Sequence, residues 1–194
     1  MELLIVISLA LVIAGIAVPN FVSVMRTFRI QGNARDIRAE ILLAKMRAAG
    51  NFTRARVRFD HSARTWSTEA WNKTLNQWVR ETVGAPQYLS TGISFGFGTV
   101  SGPPPGTQIV LEQAPPCKTG AANNPGGGSD IANTSCVIFN SRGIPVDSSG
   151  APYNDYAIYV ADGRAVYGTT ISVTGLIRSW RIEANSASAN WQRR

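Results

Sequence analysis

The chain has 194 residues, with 19 Lys and Arg against 12 Asp and Glu, which gives a formal net charge of +7 at pH 7. It contains one histidine and two cysteines, which argues against a zinc site and against a catalytic triad. We therefore predict a protein that is not an enzyme and that holds neither a cofactor nor a structural metal.

The N-terminal segment 1–25 is predicted to be an apolar helix. Residues 3–18 form an almost unbroken apolar run, and apolar residues continue at 21, 22, 24 and 25, close to the ~20 positions needed to cross a bilayer. A cleaved signal peptide is the alternative, but such a peptide carries positive charge before its apolar core, where Glu2 stands here. A carboxylate at the edge of such a segment is costly unless it is paired. Glu2 is therefore predicted to be a functional residue.

Segment 26–50 is predicted to continue the helix as an amphipathic half. Its apolar residues recur at spacings of four and three, as on one face of a helix; they are Ile30, Ala34, Ile37, Ile41, Ala44 and Ala48. Gly50 followed by Asn51 predicts the helix stop. Pro19 lies inside the helix, and we expect the helix to bend or to open locally there.

Segment 51–194 changes to short alternating strands separated by turn residues, which indicates a single antiparallel β-sandwich-like domain of about 145 residues. The predicted fold class is therefore α+β, with the long helix packed on this domain. The predicted strands are 54–59, 65–71, 77–82, 93–96, 108–112, 136–140, 156–160, 164–167, 170–173 and 177–182.

The segment 101–135 is rich in Pro and Gly and is predicted to be a long loop, or a loop carrying one strand. Cys117 lies near the middle of this segment and Cys136 directly follows it, and a disulfide between them would contribute ~3 kcal/mol. Two unrelated buried thiols are the alternative. The disulfide predicts an exported domain, whereas Arg26 and Arg29 after the apolar run would favour a cytoplasmic flank. We give the cysteines more weight.

The sequence Glu2-Leu3-Leu4-Ile5-Val6-Ile7, followed by a long helix with Pro19 and a small β domain, resembles the type IV pilin family and its pseudopilin relatives. The resemblance implies a subunit held in the bacterial inner membrane by a single helix and then assembled into a periplasmic or extracellular filament with itself and other pilins. It also implies that Glu2 pairs with the N-terminal amine of the adjoining subunit, and that a methylated Phe lies three residues before Met1.

Three later segments are similar to the GspH/FimT group of minor pilins and pseudopilins, whose β domain is built as two packed sheets. They are 34–47, Val137-Ile138-Phe139-Asn140-Ser141-Arg142-Gly143 and Gly175-Leu176-Ile177-Arg178. The sequence leaves open whether the subunit belongs to a pilus or to a type II secretion pseudopilus. For Pro19, a simple kink and a point at which the helix opens in the filament both stay open.

A DNA-binding role in DNA uptake is the alternative function. Some FimT-like pilins bind DNA through Gly-Arg-x-Arg-x-x-Arg, and here Leu176 replaces the first arginine. Strand alternation would separate the two that remain, Arg178 and Arg181, onto opposite faces. Arg193 and Arg194, beside Trp191, are predicted to lie on a flexible tail that adds stacking. The competing interpretation is that the helix arginines bind lipid headgroups or neighbouring subunits.

Two further sets of residues are predicted to have no chemical role. His61 is expected to be a solvent-exposed turn residue, since no nucleophile stands near it in the sequence. Asp147, Asp155 and Asp162 do not follow the spacing of a calcium loop. We predict that these aspartates stabilise turns.

Overall fold

The computed structural model describes residues 2–80, 85–184 and 190–194. Within these residues it shows one long α-helix and ten β-strands, which form two five-stranded antiparallel sheets. The helix contacts strands of both sheets. The predicted α+β class, a long helix packed on an antiparallel β domain, is confirmed.

Helix α1 spans Glu2–Gly50 and runs without a break through position 19. It ends where the sequence predicts. The backbone N–H of Asn51 still donates to the Arg47 carbonyl at 2.9 Å, but Phe52 then adopts a positive φ of 49° and the Thr53 N–H reaches back to the Ala48 carbonyl at 3.3 Å, which closes the helix. The predicted apolar stripe is buried along its whole length, from Ile30 to Ala48. Among the described side chains of α1, burial therefore begins at residue 30, and the side chains of residues 20–29 are exposed.

The first sheet is formed by β1 (Ala55–Asp60), β2 (Thr65–Asn72), β3 (Gln77–Arg80), β4 (Gln87–Tyr88) and β6 (Thr134–Phe139). Its strand order is β3-β2-β1-β6, and β4 also pairs with β2. The second sheet is formed by β5 (Ser94–Phe95), β7 (Tyr156–Ala161), β8 (Ala165–Ile171), β9 (Ile177–Glu183) and β10 (Gln192–Arg193). Its strand order is β10-β9-β8-β7-β5.

The main core lies where the helix stripe meets the inner faces of both sheets. Strand alternation places Val57 and Phe59 of β1 in this core together with Ile158 of β7 and Ile41 of α1. The turn after β1 is fixed by Asp60, whose carboxylate accepts hydrogen bonds from the backbone N–H of Ala63 at 2.8 Å and from the Ser62 hydroxyl at 2.7 Å. The hydrogen bond from the Ala63 N–H, and to a lesser extent that from the Ser62 hydroxyl, lower the pKa of Asp60.

The loop between β5 and β6 covers the outer faces of both sheets. Its first part carries Val100 and Leu111 onto the outer face of the second sheet, against Tyr159 and Trp180. Its later part carries Cys117 onto the outer face of the first sheet. The segment between β5 and β6 thus remains a loop, within which only isolated bridges such as Lys118–Asp130 pair.

Four details of the sheets differ from the sequence prediction. Residues 108–112 form no strand, because the Gln108 side chain holds this segment by donating to the carbonyls of Glu112 and Asp155. The predicted strands 164–167 and 170–173 are one strand, β8, in which Gly168 packs under the Tyr159 ring. The two-residue strands β4 and β10 were not predicted.

Candidate assembly surface

The first half of α1 presents a large apolar surface to solvent. Every described side chain from residue 6 to residue 29 is exposed, with 66% of Val6 and 65% of Phe21 accessible. Among these described residues, the large apolar ones are Val6, Ile7, Leu11, Val12, Ile13, Val18, Phe21, Val22, Val24, Met25 and Phe28. A contiguous surface of this kind is rare on a monomeric soluble protein and marks a site of contact with protein or lipid.

The two residues predicted to act in assembly lie on this half. The backbone of Glu2 and of Pro19 is helical, while their side chains lie outside the described part of the structure. The pairing of Glu2 and the role of Pro19 therefore stay predictions. Among the residues that the structure describes, no helix combines the length and the mean hydropathy that mark a membrane span.

Basic residues surround the point where the exposed half of α1 meets the β domain. Arg26 and Arg29 are exposed on the helix, and Arg26 lines two cavities between the helix and the second sheet. Arg164, which follows β7, donates from its guanidinium to the Ser23 hydroxyl at 3.4 Å. Arg26 and Arg29 of the helix and Arg164 of the β domain therefore lie close together around residues 23–29 of α1. We call this end of the β domain its base.

The four arginines predicted to bind DNA do not form one patch. Arg193 stands opposite Trp180 in the register of β10 and β9, so both side chains lie on the same face of the second sheet. This is the outer face, because the Trp180 side chain lies in the outer cluster, and strand alternation places Arg178 on it as well. Arg181 lies on the opposite face, near α1, with its guanidinium 3.7 Å from Glu183. Arg194 donates its backbone N–H to Ser179 and shares the face of Arg181. The arginines are divided two and two between the faces.

The prediction of a flexible C-terminal tail is wrong for residues 190–194. Trp191 is buried, its ring centroid is 5.7 Å from that of Tyr159, and its indole N–H donates to the Gly102 carbonyl at 2.8 Å. The Trp191 ring is therefore a core residue and is not available to stack on a nucleotide base. The sequence signal that was missed is the alternation Trp191-Gln192-Arg193, which fits an edge strand.

The predicted disulfide is present and joins Cys117 to Cys136. Beside it, a buried ion pair fastens the loop to the first sheet. The Arg56 guanidinium donates to Glu69 at 2.7 Å and to the Lys118 carbonyl at 2.6 Å, and it stacks 4.2 Å from the centroid of the Trp78 ring. Burial lowers the pKa of Arg56, and the charge of Glu69 opposes this shift. The sequence did not predict this pair, because neither residue is distinguished by its neighbours.

His61 and two of the three aspartates contact neighbouring groups of the fold. His61 lies in a turn, as predicted, but it is half-buried rather than exposed: its ring packs 5.3 Å from that of Phe95, and burial lowers its pKa. Asp147 and Asp162 accept backbone N–H groups of the turns that follow them. Across residues 2–80, 85–184 and 190–194, no three His, Cys, Asp or Glu side chains gather in a metal-binding group.

The chain is similar in structure to a solved bacterial protein. No family model matches the chain, and no curated protein is similar to it. Among solved structures, the chain is similar to the minor pseudopilin EpsH from the type 2 secretion system of Vibrio cholerae, with a TM-score of 0.46 and 12% identity. The match covers 81% of this chain and 99% of EpsH. This similarity is too low to assign a function to the chain.

Proposed function

We propose that the chain is a structural subunit of an envelope filament, either a type IV pilus or a type II secretion pseudopilus. The observation that carries the proposal is the division of α1. One face of its second half, from Ile30 to Ala48, is buried in the β domain, whereas its first half is apolar in sequence and exposed at every described side chain. The β domain covers one face of the second half, and the exposed apolar first half needs another partner to cover it.

The exposed half has two suitable environments, a lipid bilayer and a bundle of identical helices. Each large apolar side chain transferred out of water contributes ~1.5–3 kcal/mol, so this half is strongly disfavoured in water. Since both environments are apolar, transfer between them costs little of this free energy. The subunit would wait in the bacterial inner membrane as a single-pass protein and then enter a filament with other pilins.

Glu2 would set the register of the subunits. In an apolar bundle a carboxylate left without a partner costs ~3–5 kcal/mol, whereas a matched pair costs far less. A subunit that enters the bundle out of register would leave Glu2 unpaired. Its partner in the proposed filament is the N-terminal amine of the adjoining subunit.

Substitution of Glu2 tests this function directly. A tagged full-length chain is expressed in cells that make the filament, surface fibres are sheared off, and the tag is quantified in the sheared and membrane fractions. Glu2→Ala is expected to leave the membrane amount unchanged and to reduce the sheared amount at least about tenfold, as a loss of ~1.4 kcal/mol or more requires. Glu112→Ala, which removes an exposed carboxylate of the β domain, is the matched control. Incorporation of Glu2→Ala at the level of this control would refute the register role.

The same fractionation separates major from minor subunits. A main fibre subunit dominates the sheared fraction, whereas a tip or minor subunit is present in trace amounts. Dependence of the sheared material on secretion genes or on pilus genes then assigns the machine.

DNA uptake is the weaker alternative. The net charge of +7 favours it, but the division of the four arginines between two faces offers no single phosphate-binding patch. Retardation of duplex DNA at low salt that is lost on combining Arg178→Ala with Arg181→Ala would support it. The absence of retardation at low salt would exclude it.

A further inference from the structure

Two adjoining cavities lie at the base of the β domain, where α1 leaves it. One, of about 260 Å³, lies between Ser23 and Thr27 of the helix and Arg181 of β9. The other, of about 330 Å³, lies between Arg29 and the turn at Gly92. Arg26 and Asp162 line both cavities. Because they share these lining residues, the two cavities adjoin and form one recess.

The recess has an excess of positive charge. Four arginines line it: Arg26, Arg29, Arg164 and Arg181. Of its two carboxylates, Asp162 already accepts the backbone N–H groups of the turn at 164–165 at 2.9 and 2.8 Å. Glu183 is 76% exposed at the margin, 3.7 Å from Arg181. In the described part of the chain, no carboxylate lies within ion-pair distance of Arg26 or Arg29.

The level of the recess along α1 matches the surface of a bilayer. From Leu3 to Met25 the helix rises about 33 Å at 1.5 Å per residue, and the hydrocarbon layer of a bilayer is about 30 Å thick. Arg26 and Arg29 come next on the helix. When the apolar half is in a membrane, the recess therefore stands at the depth of the phosphate groups of the lipids.

We propose that this recess binds the phosphate of an anionic phospholipid headgroup while the subunit waits in the membrane. This inference rests on the proposed function, because it needs the membrane stage. Guanidinium groups suit the ligand, since they donate paired hydrogen bonds to phosphate oxygens and retain their charge. The bound headgroup would hold the β domain against the membrane, and it would have to be released when the subunit enters the filament.

The test uses the full chain in nanodiscs that contain equal amounts of phosphatidylglycerol and phosphatidylcholine. Native mass spectrometry then counts the lipids of each type that stay bound after release from the disc. We expect a clear excess of phosphatidylglycerol. Each arginine near the surface changes affinity about fivefold, so Arg26→Gln combined with Arg29→Gln should reduce the excess at least about tenfold.

Two further variants distinguish binding in the recess from a general effect of the chain's positive charge. Arg80→Gln combined with Arg142→Gln removes the same charge from exposed positions outside both cavities and should keep the excess. Arg26→Lys combined with Arg29→Lys retains the charge and should keep more of the excess than the Gln pair does. Both helix arginines are exposed, so their replacement leaves the core intact, and an unchanged circular dichroism spectrum verifies this.

The outcomes distinguish this inference from the proposed function. Failure of the chain to enter nanodiscs of any composition would refute the membrane stage itself. Insertion with equal retention of both lipids would overturn only the headgroup site. Removal of the excess by millimolar inorganic phosphate would assign the recess to free phosphate, and loss of the Gln pair from sheared fibres with an unchanged lipid excess would assign it to a neighbouring subunit. Either result overturns the proposal.

Discussion

Replacement of Glu69 by Gln should strongly destabilise the β domain. Arg56 and Glu69 stand opposite each other on β1 and β2, and only 2% and 6% of their surfaces are accessible. Glu69→Gln keeps the shape of the side chain but leaves the Arg56 guanidinium without its counter-charge. Leaving one buried charge unpaired costs ~3–5 kcal/mol, and we expect the free energy of unfolding to fall by about this amount.

The chain offers a matched control in a second Arg–Glu pair. Arg181 and Glu183 are 3.7 Å apart at the surface, where such a pair contributes ~0–1 kcal/mol. Urea unfolding of the full chain in a neutral detergent, followed by tryptophan fluorescence, measures both variants; Trp78 reports directly because it stacks on Arg56. Glu183→Gln should change stability by less than ~1 kcal/mol.

A double variant separates the charge from the packing. If Arg56→Met is combined with Glu69→Leu, no buried charge remains, and stability should return to near the wild-type level. If Glu69→Gln cost no more than Glu183→Gln, the buried charge pair would not stabilise the domain as expected. A double variant as unstable as the single one would contradict the expectation too.

Three further outcomes are expected in the same unfolding assay. Ile41→Ala, at a fully buried position of the helix stripe, should cost ~2–5 kcal/mol, whereas Leu42→Ala, next to it and exposed, should cost far less; equal costs would contradict the observed packing of the helix. Replacing Cys117 and Cys136 together by Ser should cost ~3 kcal/mol, and a reducing agent should lower wild-type stability equally without affecting the variant. The lowered pKa of Asp60, caused by the backbone N–H and the hydroxyl of its turn, adds stability that is present above the pKa of an unfolded aspartate and is lost as the pH falls through the folded pKa; Asp60→Asn should therefore be less stable than wild type at pH 7 and equal to it in strong acid.

The helix was predictable because its signals are local. An uninterrupted apolar run, a regular spacing of apolar residues and a glycine stop are all read from neighbouring residues, and they gave α1 its bounds and its buried face. The disulfide was also predictable, since only two cysteines are available. Long strands with clear alternation, such as β1 and β9, were found for the same reason.

The predictions that were wrong concern contacts between residues far apart in the chain. Segment 108–112 looks like a strand, but the Gln108 side chain ties it to Asp155 instead. Trp191 looks like part of a polar tail, yet its partner is Tyr159. The recess around Arg26 is formed by α1, the turn at Gly92 and the strands of the second sheet. Because these elements are distant in sequence, no local sequence pattern predicts the recess.

In the proposed function, the exposed apolar half of α1 places the subunit in a filament. Two pairs of polar substitutions in the tagged full chain test this in the sheared and membrane fractions. One pair is Leu11→Gln with Val18→Gln on the helix, and the other is Ile109→Gln with Val110→Gln on the loop, where 92% and 63% of the residues' surfaces are exposed. We predict that the helix pair is lost from the fibres while the loop pair is retained. Equal recovery of both pairs in the sheared fibres would contradict the account.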